Sequence, residues 1–242
     1  MKRLLPLFAL CAEGAWAQAP PGASQMPNPV VMLIVLGALS LAPFVLIMLT
    51  SFVKISVVLS ILRSAIGAQQ VPPNQIITGL AFVLTIFIMA PVAREMYNSA
   101  GTIPNSRDIF SEQSVKGVYD AGREGKEPLR KFLSRHAHAA DRVLFMELAA
   151  KLEPAGAGPL DKEAFQVLIP AFVTSELKEA FQIGFLVFVP FIIIDMVVAN
   201  ILLAMGMSML SPSVISLPFK LLLFVLVDGW FLVVRGLVAS YV

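Results

Sequence analysis

The last third of this chain, residues 180–242, is almost unbroken hydrocarbon, yet it carries Asp195, Lys220 and Asp228. An apolar run of that length belongs in a bilayer. A charge at depth costs ~2.5–3.5 kcal/mol on insertion scales, so each of these residues points to a partner, a pore or a subunit interface. Composition agrees with the run: 57% of residues are hydrophobic, 14% are charged, and mean hydropathy is +0.82. Soluble domains do not reach such values. A formal charge of +2 leaves no electrostatic footprint for nucleic acid.

Charged side chains are absent from Gly14 to Val53, from Ser64 to Ala93 and from Ala180 to Ile194. Each gap has room for a helix of the ~20 residues that crosses a membrane. Lys2 and Arg3, the apolar Leu4–Ala12 and the small-x-small Ala15-Trp16-Ala17 predict a signal peptide over 1–17, cleaved before Gln18. It contains Cys11, the only cysteine, so the mature chain is expected to hold no disulfide. A Pro-rich linker, 18–29, precedes N-terminal membrane helices over 30–97. The first span is expected at Val30–Thr50, kinked at Pro43. An apolar helix over Ser51–Gly67 follows, with Lys54 and Arg63 near the membrane surface. Pro72-Pro73-Asn74 breaks the chain. Asn74 is placed to cap a second span at Gln75–Tyr97.

Residues 98–165 hold ten basic and ten acidic residues, the balance of an extramembrane insert. One helix is expected from Pro128, with Leu129, Phe132, Leu133, His136, Ala140, Val143, Leu144, Met146 and Leu148 on its apolar face. Residues 166–242 form a C-terminal hairpin of two further spans, Phe181–Met205 and Val214–Val238, joined by a Met-rich loop. An exported N-terminus crosses inward at the first span. That puts Lys54 and Arg63 on the cytoplasmic side, as the positive-inside bias prefers, and the insert in the periplasm. The fold class is all-α: about four long apolar helices with a small helical insert.

Met205, Met207 and Met209 recur at every second position. In an extended bend all three point one way. They read either as gap-fillers at a tight helix turn or as an apolar, deformable seal. Ser175-Glu176-Leu177-Lys178-Glu179 reads as a solvated helix entry, with Glu176 a candidate partner for Lys220 in the hairpin or on a neighbouring subunit. Asp195 and Asp228 are expected to face a polar channel, to pair with partner subunits or to sit away from lipid. His136 and His138 diverge around a helix and make a poor metal pair; a solvated face is the expected reading. No nucleophile elbow, phosphate loop or paired-carboxylate motif occurs, so neither catalysis nor a cofactor is expected.

Four segments together resemble the FliP/SctR family, subunits of the type III export gate of flagella and injectisomes. They are Leu49–Ile55, Leu62–Gln75, Ser175–Phe185 and Leu217–Trp230. The similarity runs from about residue 30 to the end. It implies a homo-oligomeric ring, usually of about five copies, assembled with FliQ/SctS-like and FliR/SctT-like subunits. The ring would sit in the basal body at the bacterial inner membrane and pass unfolded exported proteins. It also assigns the pore constriction to Met205, Met207 and Met209, and it would bury Asp195, Lys220 and Asp228 against protein. In the family these methionines are often consecutive, whereas Ser208 interrupts them here. Features of the flagellar branch (Pro72–Gln75, Pro128–Phe132) and of the injectisome branch (Val53-Lys54, Ala199–Ile201, Ser240–Val242) occur side by side. The rival reading is an ion or solute carrier coupling through Asp195 and Asp228, although no repeat relates 30–97 to 180–242. A purely structural membrane anchor is the third.

Overall fold

The computed structural model describes residues 29–67, 72–99, 125–152, 161, 163–207 and 209–242. The expected signal peptide and nearly all of the linker lie outside them. Every regular element among the described residues is a helix. Two compact units are distinguished, one ending at Leu41 and the other covering Ala42–Val242.

Helix α1, Pro29–Met48, contains Pro43 and no charge. Helix α2, Phe52–Ile66, buries Lys54, Ile55, Val58, Leu59, Leu62, Ala65 and Ile66, a stripe at three- to four-residue spacing. It ends at Gly67, whose φ of 76° is left-handed and suits glycine. Helix α3, Asn74–Ser99, is the expected second span. It starts differently from the expectation: the amides of Ile76 and Ile77 donate to the Pro73 carbonyl, while the Asn74 side chain accepts from Arg63. Asn74 therefore ties α3 back to α2 instead of capping its own helix.

Among the described residues of the insert, the helix expected from Pro128 is split in two: α4 (residues 125–136) and α5 (Ala139–Leu152). The break at Ala137-His138 arises because the His138 amide donates to Ser175 Oγ at 2.9 Å rather than continuing the ladder. The periodic apolar face is split accordingly. Phe132 and Leu133 are buried, whereas Val143, Leu144 and Leu148 are exposed.

Helix α6, Phe165–Ala204, runs 40 residues without a break, about 60 Å at 1.5 Å per residue. Helix α7, Pro212–Leu226, returns antiparallel to it. The expected continuous fourth span is broken: α7 and α8 (Gly229–Ala239) meet at a 61° bend. Asp228 sits there at φ 49°, the only described non-glycine residue with positive φ. Gly229 follows because a Cβ at that position would lie 2.2 Å from the Phe224 ring. Among the described residues α3 and α6 are long and apolar enough to cross a membrane, and α7 with α8 makes a third if the bent pair counts as one span.

Packing concentrates around α2 and the first half of α6. One core joins Ile55, Leu59 and Leu62 of α2 to Ala81 of α3, Phe191 of α6, Phe224 of α7 and Leu237 of α8. A second joins Phe132 and Leu133 of α4 to Leu168 and Phe172 of α6 and to Tyr241. At the α2–α6 crossing a Cβ on Gly184 would lie 2.4 Å from the Ile61 side chain, so Ile61 of α2 packs directly against the α6 backbone.

Candidate functional site

Three features gather the predicted site residues. The first is a buried charged network where α2, α5, α6 and the C-terminal residues meet. Lys54 is fully buried. Its ammonium lies 2.6 Å from Glu179 Oε2, 3.2 Å from Glu176 Oε1 and 4.1 Å from the centre of the Tyr241 ring. The Tyr241 hydroxyl donates to Glu176 Oε2. Glu176 Oε1 has no hydrogen-bond partner among the described residues, so its contact with Lys54 is one of charge alone. His138 Nε2 lies 2.7 Å from Glu179 Oε1. Asp141 completes the set, receiving Lys178 Nζ at 2.6 Å and Ser175 Oγ at 2.8 Å. The Lys178 hydrogen bond holds the Asp141 carboxyl below its ordinary range, against the opposing effect of burial. Burial and the Glu176 carboxylate push the Tyr241 phenol up, so it remains a donor.

Several expectations need correction here. Lys54 is buried inside the protein, where two carboxylates of α6 hold its ammonium. The Ser175–Glu179 segment is no solvated helix entry, since Ser175 and Glu176 are fully buried. His136 and His138 are not a solvated face either. The His136 ring packs 4.7 Å from Phe132 and 5.0 Å from Tyr241, centre to centre. Burial, then the charges of Lys54 and Arg135, push its pKa down to about 4.

The second feature lies along the hairpin. Lys220 Nζ is 2.6 Å from Asp195 Oδ2 and donates to the Ala65 carbonyl at 3.2 Å. Ser216 Oγ donates to Asp195 Oδ1. The ammonium thus caps the negative end of α2 while pairing α7 with α6. Within the chain, the expected Glu176–Lys220 pair does not form: α2 stands beside both, offering Lys54 to one and carbonyls to the other. Asp228 is exposed and serves as the left-handed residue before α8.

The third feature is the methionine turn. It is not an extended bend. Met205 caps α6 with φ −82°, Gly206 takes φ 75°, the Gly206 amide donates to Leu203 and the Met207 amide donates to Leu202. This is the Schellman closure, so strict alternation of the side chains fails between Met205 and Met207. Met209 is 99% exposed and Met205 64%. Met205 also lines an apolar groove of about 490 Å³ with Ile193, Val197, Ile201, Ile215 and Phe219.

Sequence reasoning missed Lys54, Glu179, Asp141, Ser175 and Tyr241 as a connected set with Glu176, and Ser216 as a partner of Asp195. One signal was present: Lys54, Val58, Leu62 and Ala65 share the buried stripe of α2, a place for a lysine only if carboxylates await it.

The FliP family model matches residues 35–237. Among relatives, the Yop proteins translocation protein R of Yersinia pestis is 47% identical over 90% of this chain and 98% of its own length. The flagellar biosynthetic protein FliP of Pectobacterium carotovorum subsp. carotovorum is 46% identical over 95% of this chain and 88% of its own. The hypersensitivity response secretion protein HrcR of Ralstonia nicotianae is 43% identical over 87% and 96%. With the Lys54, Lys220 and methionine-turn segments all inside the matched region, the chain belongs to the FliP family.

Proposed function

We propose that this chain is a non-enzymatic, pore-forming subunit of a type III protein export gate. It passes unfolded flagellar or virulence substrates across the bacterial inner membrane. In this reading copies of the chain close into a ring, with FliQ/SctS-like and FliR/SctT-like subunits, in the basal body. The insert faces the periplasm, and energy comes from elsewhere in the machine. The observation that carries the reading is the methionine turn: Met209 stands 99% exposed at the tip of a long apolar hairpin. A single soluble chain has no use for such a tip. A ring of tips gives a deformable, unspecific closure, because the thioether carries no directional hydrogen bond to satisfy.

The charges support the same reading. Lys54, Lys220, Glu176 and Asp195 are paired inside the chain, so the outer faces of α6 and α7 are left apolar for neighbouring helices. A carrier coupling through Asp195 fits less well, since Lys220 and Ser216 already occupy that carboxylate.

Native mass spectrometry of the detergent-extracted protein tests assembly. A closed homo-oligomer that takes up small membrane proteins of the apparatus is expected; a lone monomer under all conditions would end the proposal. Replacing Met205, Met207 and Met209 by Ala should raise ion leakage across the membrane in cells carrying the assembled apparatus. Unchanged conductance would remove the sealing role.

A further inference from the structure

We infer that the insert carries a binding pocket for a phosphate-type oxyanion, built by Arg130, Arg135 and Arg142 with Lys131. The pocket, about 300 Å³, lies between α4, α5 and the residues before α6; Ser134 and Glu163 complete its lining. Each arginine is held by a different neighbour. Arg130 pairs with Glu127 at 3.3 Å and lies 5.2 Å from the centre of the Phe165 ring. Arg135 donates to the backbone oxygen of Val242, the last residue, at 2.8 Å. Arg142 donates to Ser134 Oγ at 3.2 Å.

These tethers use few of the five donors that each guanidinium offers. The Nε atoms of Arg130 and Arg142 are buried with no partner among the described residues. Among the described residues, four cations therefore border one cavity lined by a single carboxylate, Glu163. Glu127 offsets one of them from outside. Gathering like charges is unfavourable unless an anion completes the set, and fixed guanidinium forks suit the oxygens of a phosphate group. The pocket stands beside the start of α6, the longest apolar helix. On α5, Val143, Leu144, Leu148 and Leu152 follow Arg142 and are exposed, an apolar surface for acyl chains that favours the headgroup of an anionic phospholipid over free phosphate. The inference does not depend on the export role.

The test uses the full chain in detergent. Native mass spectrometry would follow adducts of phosphatidylglycerol against phosphatidylcholine with the same acyl chains. Thermal unfolding would follow inorganic phosphate against chloride at matched ionic strength. Selective phosphatidylglycerol adducts are expected. They should weaken about fivefold for each cation removed in Lys131→Gln and Arg142→Gln and fall further with salt. Stabilisation by inorganic phosphate, with displacement of the lipid, would assign the pocket to the free ion. Lys131 is exposed, so its variant keeps the test alive if Arg142→Gln does not fold. Equal binding of both lipids without a phosphate effect, or undiminished binding in a folded variant, would overturn the inference.

Discussion

The two halves of α6 obey different rules although one backbone runs through both. From Phe165 to Ala180 the helix is wrapped: Val167, Leu168, Ala171, Phe172, Ser175, Glu176 and Ala180 are all buried. Neighbours from α2, α4, α5 and Tyr241 cover it. From Phe181 onward the burial thins to Gly184, Phe191, Val198 and Leu202, seven residues apart at first. Phe181, Phe185, Leu186, Met196 and Leu203 stand more than half exposed. The wrapped half tolerates carboxylates because partners were built around them. The bare half is apolar except for Gln182, Asn200 and a single charge, Asp195, which Lys220 answers. A single helix can thus be an anchored stem at one end and a surface awaiting other helices at the other.

The largest test of that contrast is Lys54. Lys54→Met leaves Glu176 buried without its cation, and breaking a buried pair costs ~3–5 kcal/mol. Thermal unfolding in detergent should show a severe loss. Adding Glu176→Gln and Glu179→Gln should recover much of it. No recovery would mean that the wrapped half is held by packing alone. Next comes Gly184, where the wrapped half gives way to the bare one. Gly184→Ala drives a methyl into Ile61, an overpacking of ~1–3 kcal/mol, and Ile61→Val should relieve part of it.

Acid should strike the wrapped half first. His136 titrates at about 4 when folded, against an ordinary 6.5. The unfolded chain therefore binds the extra proton across that window, and stability falls as pH drops from 6.5 toward 4. Asp141, held below its usual range, extends the loss as pH falls through its lowered value. His136→Phe should flatten the upper part of the profile, measured as melting temperature against pH. The smallest effect on stability belongs to Met209→Ala. A fully exposed side chain should change unfolding by no more than ~0.5 kcal/mol, while ion leakage through the assembled apparatus rises.

How far the sequence could be read follows the same division. The bare regions were legible, because hydrophobic length and helix punctuation are local properties. Gln75–Tyr97 was expected and Asn74–Ser99 observed. The Pro72-Pro73 break and the turn at Met205-Gly206 fell where small or cyclic residues demanded them. The wrapped region was not legible, because its partners lie far apart in the chain. Lys54 and Glu179 are separated by 125 residues, and nothing in either neighbourhood names the other. Within the chain Lys220 meets Asp195 rather than the expected Glu176, because Lys54 of the distant α2 already faces Glu176. The insert break at Ala137-His138 was missed because its cause, Ser175, sits on another helix.

The closure after α6 has a bearing on how this family can vary. Gly206 and the amides of Gly206 and Met207 set the shape of the hairpin tip, and the fully exposed Met209 side chain takes no part in that closure. Substitutions that add, remove or space out thioethers, such as the serine at 208, can then adjust the character of the tip without reshaping its scaffold, whereas replacing Gly206 by a branched residue would distort the scaffold itself.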